Sequence, residues 1–228
     1  DADNLVAPDF LTRMNESFSA GNEIITCYRN SKNYGSNWIS AGYALWFLRE
    51  SRYLNGARET IGSSCAVSGT GFLFSRKILD ECGGWPFHLL VEDIEFSIGN
   101  ILAGHRIAFC RDAVTYDEQP TDFAQSCRQR LRWSRGYLQV FGKYGSGLIR
   151  GLIRGSWSCY DMAMAIMPAI VLTSVSLFVS ILLAVMGIVS GLGVLPALLS
   201  LGKVFLGMYL TLFTVGLITT VTEWKYID

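Results

Sequence analysis

The sequence predicts an α/β domain over residues 1–160, followed by an apolar region suited to a lipid bilayer. Three observations predict it. Helix-like and strand-like segments alternate up to Tyr160, the order expected of an α/β sheet domain. Residues 162–202 hold no ionisable side chain and residues 204–222 hold no charge, whereas a spanning helix needs roughly 20 apolar residues. After Asp161 only Lys203, Glu223, Lys225 and Asp228 are charged, so the formal net charge of zero averages two unlike halves and identifies no partner.

Taken in order, residues 8–20 read as a helix with Pro8 near its start, where a missing N–H does no harm. Residues 40–52 carry an apolar stripe of Ala44, Leu45, Phe47 and Leu48. Residues 64–74 are small and β-compatible, interrupted by Gly69-Thr70-Gly71. Residues 78–82 make one helical turn closed by Gly83-Gly84, and 93–103 make a helix stopped by Gly104. Residues 106–110 and 113–116 read as short strands, and 123–141 as a second long helix capped by Thr121 or Asp122. In 144–160, Leu148, Ile149, Leu152, Ile153 and Trp157 recur at helical spacing with Arg150 and Arg154 between them. Such a basic amphipathic helix lies in a membrane interface or packs on the preceding domain. Two spans follow, 162–189 and 198–222, with Gly187, Gly191, Gly193 and Pro196 punctuating the turn. The chain thus divides at 1–143, 144–160 and 161–228.

Arg128, Arg130, Arg132, Arg135, Lys143, Arg150 and Arg154 precede the first span, with no acidic residue between Gln125 and Tyr160. Basic flanks mark the cytoplasmic side, so a multi-pass cell-membrane protein with residues 1–160 in the cytoplasm is expected. The six cysteines form no Cys-x-x-Cys pair, and His88 and His105 stand alone. Cytoplasmic thiols stay reduced, so neither disulfides nor zinc are expected. No nucleic-acid partner is implied.

Three elements could do chemistry. Asp1-Ala-Asp3 puts two carboxylates on one side of an extended segment, hard ligands suited to magnesium or manganese on a diphosphate; such a triplet also arises by chance. Glu92-Asp93 opens a helix, where the free amides favour acids in any case, but one carboxylate could serve as a general base. Gln129, Arg132 and Trp133 share one helical face. Arginine clamps phosphate oxygens and an indole face suits a sugar; equally, this is a cationic helix beside a membrane with Trp133 as packing.

Together these elements resemble the processive branch of the family 2 glycosyltransferases, which includes cellulose, chitin, hyaluronan and poly-N-acetylglucosamine synthases. The resemblance runs through Asp1-Ala-Asp3, Ser68-Gly69-Thr70-Gly71, Val91-Glu92-Asp93 and Gln129-Arg-Leu-Arg132-Trp133, then into the apolar region. The last of these is the specific one. The resemblance implies a partial, Rossmann-like GT-A domain, an interfacial helix and about two transmembrane helices. It implies inverting transfer of a sugar, glucose or N-acetylglucosamine, from a UDP-sugar to a growing β-linked polysaccharide. In that scheme Asp3 and Asp1 hold Mg2+ or Mn2+, Asp93 is the catalytic base and Glu92 contacts substrate. Gln129 and Arg132 hold the diphosphate and Trp133 supports the acceptor sugar. The backbone at Gly69, Thr70 and Gly71 approaches that sugar. The partners are the donor, a glycan or lipid acceptor and membrane lipids.

Two departures stand out. Val91 occupies a position where the family usually has threonine, and the family's nucleotide-binding half precedes the triplet at which this chain begins, so a larger enzyme is expected. Two alternatives remain: a transferase loading a sugar onto a polyprenyl phosphate or other lipid, in which Gln-x-x-Arg-Trp would not be expected, and a non-catalytic membrane component.

Overall fold

A computed structural model of the protein describes residues 4–227. The chain runs β1 (Leu5–Val6), α1 (Phe10–Ser19), β2 (Ile24–Ser31), α2 (Trp38–Arg49), a π-turn (Glu50–Asn55), α3 (Gly56–Thr60), β3 (Phe72–Phe74), α4 (Arg76–Glu81) and α5 (Glu92–Leu102). It continues through β4 (Ile107–Asp117), α6 (Phe123–Ile153), α7 (Trp157–Ile166), α8 (Pro168–Val189) and α9 (Val194–Thr222). Among the described residues the strands form one four-stranded sheet, ordered β1-β4-β2-β3. β2 and β4 run parallel, and β1 and β3 flank them antiparallel.

Sequence reasoning missed β2, the middle of this sheet. Ile24, Ile25, Cys27 and Tyr28 are all buried, so the strand is covered on both faces and shows no alternation to read. The strands expected at 106–110 and 113–116 are one strand with a bulge. Its register jumps from Cys27↔Cys110 to Tyr28↔Val114, which pushes the charged Arg111 and Asp112 out to solvent. The β-like stretch 64–74 is strand only at Phe72–Phe74; the rest is a loop threaded past the start of β4 and the middle of α5.

Helix α6 corrects the reading of 144–160 as a separate helix. Asp122 caps it, as one of the two expected caps, by accepting from the Gln125 amide at 2.8 Å. It then runs 31 residues, roughly 46 Å at 1.5 Å per residue. No break falls near residue 142, because Lys143 and Tyr144 both bond Glu95 of α5, and Gly147 lets Leu102 approach closely. The break comes at Gly155, in the left-handed region at φ +82°, after which the Ser156 hydroxyl caps α7. The amphipathic stretch is therefore the end of α6 and the start of α7.

Two apolar clusters position the site. Phe72, Phe74, Trp85, Phe87 and Phe96 interleave between sheet and α5 with ring centroids 5.2–6.5 Å apart. Val91, Ile98, Ile101, Val140, Leu148 and Met162 join α5, α6 and α7. Beyond them, among the described residues, α9 is the one helix long and apolar enough to cross a membrane; the apolar stretch of α8, Thr173–Val189, is shorter. The end of α9 returns to the sheet, where buried Glu223 accepts from the Tyr28 hydroxyl at 2.6 Å and pairs with Arg52 at 3.1 Å.

Candidate active site

One pocket of about 380 Å³ gathers most of the residues singled out from sequence: Gly69, Thr70, Glu92, Asp93, Gln129, Arg132 and Trp133. Asp1 and Asp3 lie outside the described residues. Asn4, the next residue along, lines the pocket and donates to the Thr70 hydroxyl at 2.7 Å. Among the described residues no three His, Cys, Asp or Glu side chains converge as a metal-ion cluster.

Gly71 is the residue of the Ser68–Gly71 loop that does not line the pocket; it explains the loop's path. Its φ is +60°, and a Cβ there would stand 2.2 Å from Cys27 Sγ and 2.5 Å from a Thr115 methyl. Only glycine fits so close to the sheet in that conformation. The turn folds tightly, with the Thr70 amide donating to the Ser68 carbonyl at 2.9 Å. Gly69, at φ +73°, then faces Asp93, its built Cβ 3.6 Å from Oδ2.

Helix α5 carries Asp93 in its first turn, and Ser97 one turn later locks helix to loop. The Ser97 hydroxyl donates to the Asp93 carbonyl at 2.8 Å and accepts from the Val67 amide at 2.9 Å. Burial pushes the Asp93 carboxyl up to about 6, helped by the charges of Glu92 and Glu50 and opposed by the Ile94 amide and Arg29. Two residues on, Glu95 goes the other way. Its burial alone would raise it, but Lys143 at 2.6 Å and the Leu89 amide hold it below the usual carboxylate range. Two nearby carboxylates driven apart by their surroundings are the signature of divided roles: Glu95 fastens loop 88–91 and α6 to α5, while Asp93 is left facing the pocket.

Val91 replaces a hydroxyl with packing. It is buried, and a Cβ on Gly136 of α6 would stand 2.7 Å from one of its methyls. Glycine thus lets α6 cross tightly over the start of α5, bringing Gln129, Arg132 and Trp133 beside Glu92 and Asp93. Arg132 spends one donor on the Leu90 carbonyl at 2.9 Å, leaving the rest of its guanidinium for the pocket. The buried Gln129 Oε1 has no hydrogen-bond partner. An orphaned polar atom in a pocket wall invites a ligand group. Trp133 is half-buried, edge-on to Tyr43 and Phe47 at 5.9 and 6.3 Å between centroids, so it packs and lines the pocket at once.

The pocket's shape and acids suit a transferase, and the comparison with known proteins decides the family. Residues 1–136 match the family model described as glycosyltransferase like family 2. The chain belongs to that family. Among curated family 2 relatives, a probable glycosyltransferase, YdaM, of Bacillus subtilis is 36% identical over 78 residues, 34% of this chain and 19% of the relative. A UDP-forming cellulose synthase of Dictyostelium discoideum, matched through its catalytic chain, is 24% identical over 170 residues, 74% of this chain and 16% of the relative. Probable glucomannan 4-beta-mannosyltransferase 14 of Arabidopsis thaliana is 26% identical over 163 residues, 69% of this chain and 30% of the relative. The chain thus spans less than a third of the length of these relatives.

Several pocket residues of this family 2 chain escaped sequence reasoning. Arg29 on β2 donates to Asp117 at 2.7 Å and to the Ser68 carbonyl at 2.8 Å, with its guanidinium 3.5 Å from the Phe47 ring centre. Glu50 and Tyr137 also line the wall. Nothing local marks Arg29, Asp117 or Glu50, because strands and helices distant in sequence bring them together. Glu95 did carry a signal: with Val91, Ile98 and Leu102 it falls on one helical face, and an acid on an apolar face needs a partner.

Proposed function

We propose that this chain carries the acceptor side of an inverting glycosyltransferase site that moves a sugar from a UDP-sugar to the hydroxyl of a growing β-linked polysaccharide at a membrane. The observation that carries the reading is the convergence of Asp93, the glycine turn and the Gln129–Arg132–Trp133 face on one pocket. Asp93, pushed up to about 6, is ionised at neutral pH yet basic enough to take a proton, as a general base must be. It accepts the proton of the acceptor hydroxyl as that oxygen bonds the anomeric carbon. The bond from that carbon to the diphosphate breaks, and UDP leaves with its electron pair. Arg132 and Gln129 bind the diphosphate, and Glu92 contacts substrate beside them. The Gly69 turn leaves room for the acceptor over Asp93, and Trp133 supports it with its aromatic face. Magnesium or manganese on Asp1 and Asp3 would supply Lewis-acid stabilisation to the leaving diphosphate, since hard oxygen ligands suit those ions.

The apolar faces of α8 and α9 support two spans, and the basic residues before them support a cytoplasmic site. The polysaccharide reading draws on the matches to a cellulose synthase and a glucomannan mannosyltransferase. The test uses the full-length enzyme with radiolabelled UDP-sugar and magnesium or manganese, recording polymer length and free sugar separately. Asp93→Asn is expected to lose at least about 10²-fold in turnover with UDP binding retained. Arg132→Ala should lose donor affinity and both products, whereas Trp133→Ala should shorten polymer while donor hydrolysis persists. Turnover above about a tenth of wild type in Asp93→Asn removes the base assignment. Identical losses in the two other variants reduce Trp133 to packing.

A further inference from the structure

Among the described residues two arginines line the pocket, and the transfer scheme gives work to Arg132 alone. Arg29 is held through both its backbone and its side chain. β3 pairs with β2 only as far as Thr26, which leaves the edge of β2 open at Arg29. There the Ser51 hydroxyl serves it twice, accepting from the Arg29 amide at 3.0 Å and donating to the Arg29 carbonyl at 3.3 Å. The register jump after Cys27 sets Arg29 opposite Thr115, so Asp117 emerges two residues later on the same face of the sheet. The guanidinium clamps Asp117 through Nε at 2.7 Å and through Nη2. Its Nη1 donates to the Ser68 carbonyl at 2.8 Å and to the Ser68 hydroxyl at 3.1 Å. Phe47 covers the cation, its ring centre 3.5 Å from the guanidinium carbon. Asp117 is held in turn by Gln119, whose own amide and carbonyl are both fixed by Asn33 at 2.8 Å.

We infer that Arg29 is a positioning residue for the transfer reaction: its guanidinium ties the Ser68–Gly71 turn to the end of β4 and so sets the gap between that turn and Asp93 in which the acceptor hydroxyl reacts. The inference rests on Asp93 being the base. The turn is pinned at both ends to one face of the sheet, the face shared by Cys27, Arg29, Thr115 and Asp117. At one end Gly71 rests on Cys27 and Thr115, and at the other Ser68 hangs from Arg29. Between the pins, the built Cβ of Gly69 lies 3.6 Å from Asp93 Oδ2 and 3.9 Å from Arg29 Nη1. The cation and the base thus flank the same open side of the turn, and any shift of Ser68 passes directly to the space over Asp93. Stability alone does not explain the arrangement. The Arg29 and Asp117 side chains are only 18% and 7% exposed, and an ion pair taken so far out of water adds little net stability. What it fixes is geometry. The rigid fork of arginine serves a carboxylate along one edge and the turn from its other nitrogen, which a lysine ammonium cannot do.

The test compares full-length wild type, Arg29→Lys, Asp117→Asn and Asp93→Asn, using whichever of UDP-glucose and UDP-N-acetylglucosamine the wild type turns over. It reads kcat, donor KM, the affinity and stoichiometry of UDP binding, and a melting curve. Arg29→Lys keeps the charge and loses the fork. Its kcat should fall about tenfold or more, on the order of 10²-fold if the turn shifts by about 1 Å, with donor KM and UDP binding unchanged. Asp117→Asn leaves the cation in place and loosens its clamp, so its kcat should fall less, again with UDP binding retained. A merely structural role would lower kcat and the amount of UDP bound together, because both follow the folded fraction. A folded Arg29→Lys with wild-type kcat overturns the inference, and so does a loss of UDP binding that matches the loss of kcat. Should Arg29→Lys not fold, Asp117→Asn decides: a fall in kcat alone supports the inference, and wild-type kcat overturns it. Asp93→Asn separates the two readings. If it stays active, the base assignment falls and this inference with it; if it is dead while Arg29→Lys matches wild type, this inference falls alone.

Discussion

Leu48 on α2 is fully buried against the sheet, whereas Leu212 on α9 is 70% exposed, and the two residues stand for their regions. From β1 to α7, Ile24, Ile25, Ile78 and Ile107 are hidden, and Arg29 and Glu95 find opposite charges. Along α8 and α9 the arrangement inverts: among the described residues of these helices only Ala197 and Thr219 are buried. Burying apolar surface stabilises by roughly 25 cal/mol per Å², and the first region collects that gain within itself. The second leaves its apolar surface exposed, and a helix apolar all round has no face suited to water. Two rules of construction therefore operate in one chain, and the same substitution should have different effects in each.

The largest expected effect is in the tightly packed region. Gly71→Ala forces a Cβ to within 2.2 Å of Cys27 Sγ in a left-handed conformation. Overpacking of about 1–3 kcal/mol adds to about 1–2 kcal/mol for the backbone, and urea melts should show a large fall in midpoint or no folded protein. A midpoint near wild type would mean that the loop moves freely against β2.

Next come paired substitutions of exposed leucines. Leu11 is 76% exposed on α1 and Leu212 70% exposed on α9. Leu212→Arg should cost about 2.5–3.5 kcal/mol of membrane insertion, read as protein lost from the carbonate-resistant membrane fraction. Leu11→Arg should stay within about 0.5 kcal/mol of wild type. Equal behaviour of the two variants would erase the distinction between the regions.

A smaller effect is expected at the crossing of α5 and α6. Gly136→Ala presses on Val91 at 2.7 Å, and overpacking there costs about 1–3 kcal/mol. Because it displaces Gln129 and Arg132 from Asp93, turnover should fall by more than the melting point suggests. Gly142→Ala, with nothing within 4 Å of its Cβ, is the control and should leave turnover unchanged.

The remaining effects are those of pH, and they run in opposite directions for two acids on one helix. Asp93 is raised from 3.8 to about 6, so its ionised form costs stability above about pH 6, and that cost vanishes below its unfolded value. Asp93→Asn should therefore melt higher than wild type at pH 7.5 and alike at pH 3.5. Glu95 is lowered, so its contribution is present above the ordinary glutamate value and lost as pH falls through the folded one. Glu95→Gln should be less stable than wild type at neutral pH, the gap closing on acidification. A pH-independent gap for either variant would contradict these shifts.

Much of the site was legible because it lies in short runs. Val91-Glu92-Asp93 and Gln129-Arg-Leu-Arg132-Trp133 announce themselves by residue type and spacing, and both meet in one pocket. Helix α1 was legible from the proline near its start, α5 from its glycine stop and α6 from its cap, and the uncharged run before Glu223 from length alone. What the sequence by itself determined is therefore local: periodicity, caps, breakers and hydropathy act between residues a few positions apart. Tertiary structure decided the rest. It made β2 a central strand although its pattern is silent, carried α6 straight through residues 144–153 because Glu95 reaches Lys143 and Tyr144, and placed Arg29, Glu50 and Asp117 around Asp93. These outcomes depend on contacts between positions tens of residues apart, where burial and charge pairing outweigh local propensity, and such contacts are absent from any short window of sequence.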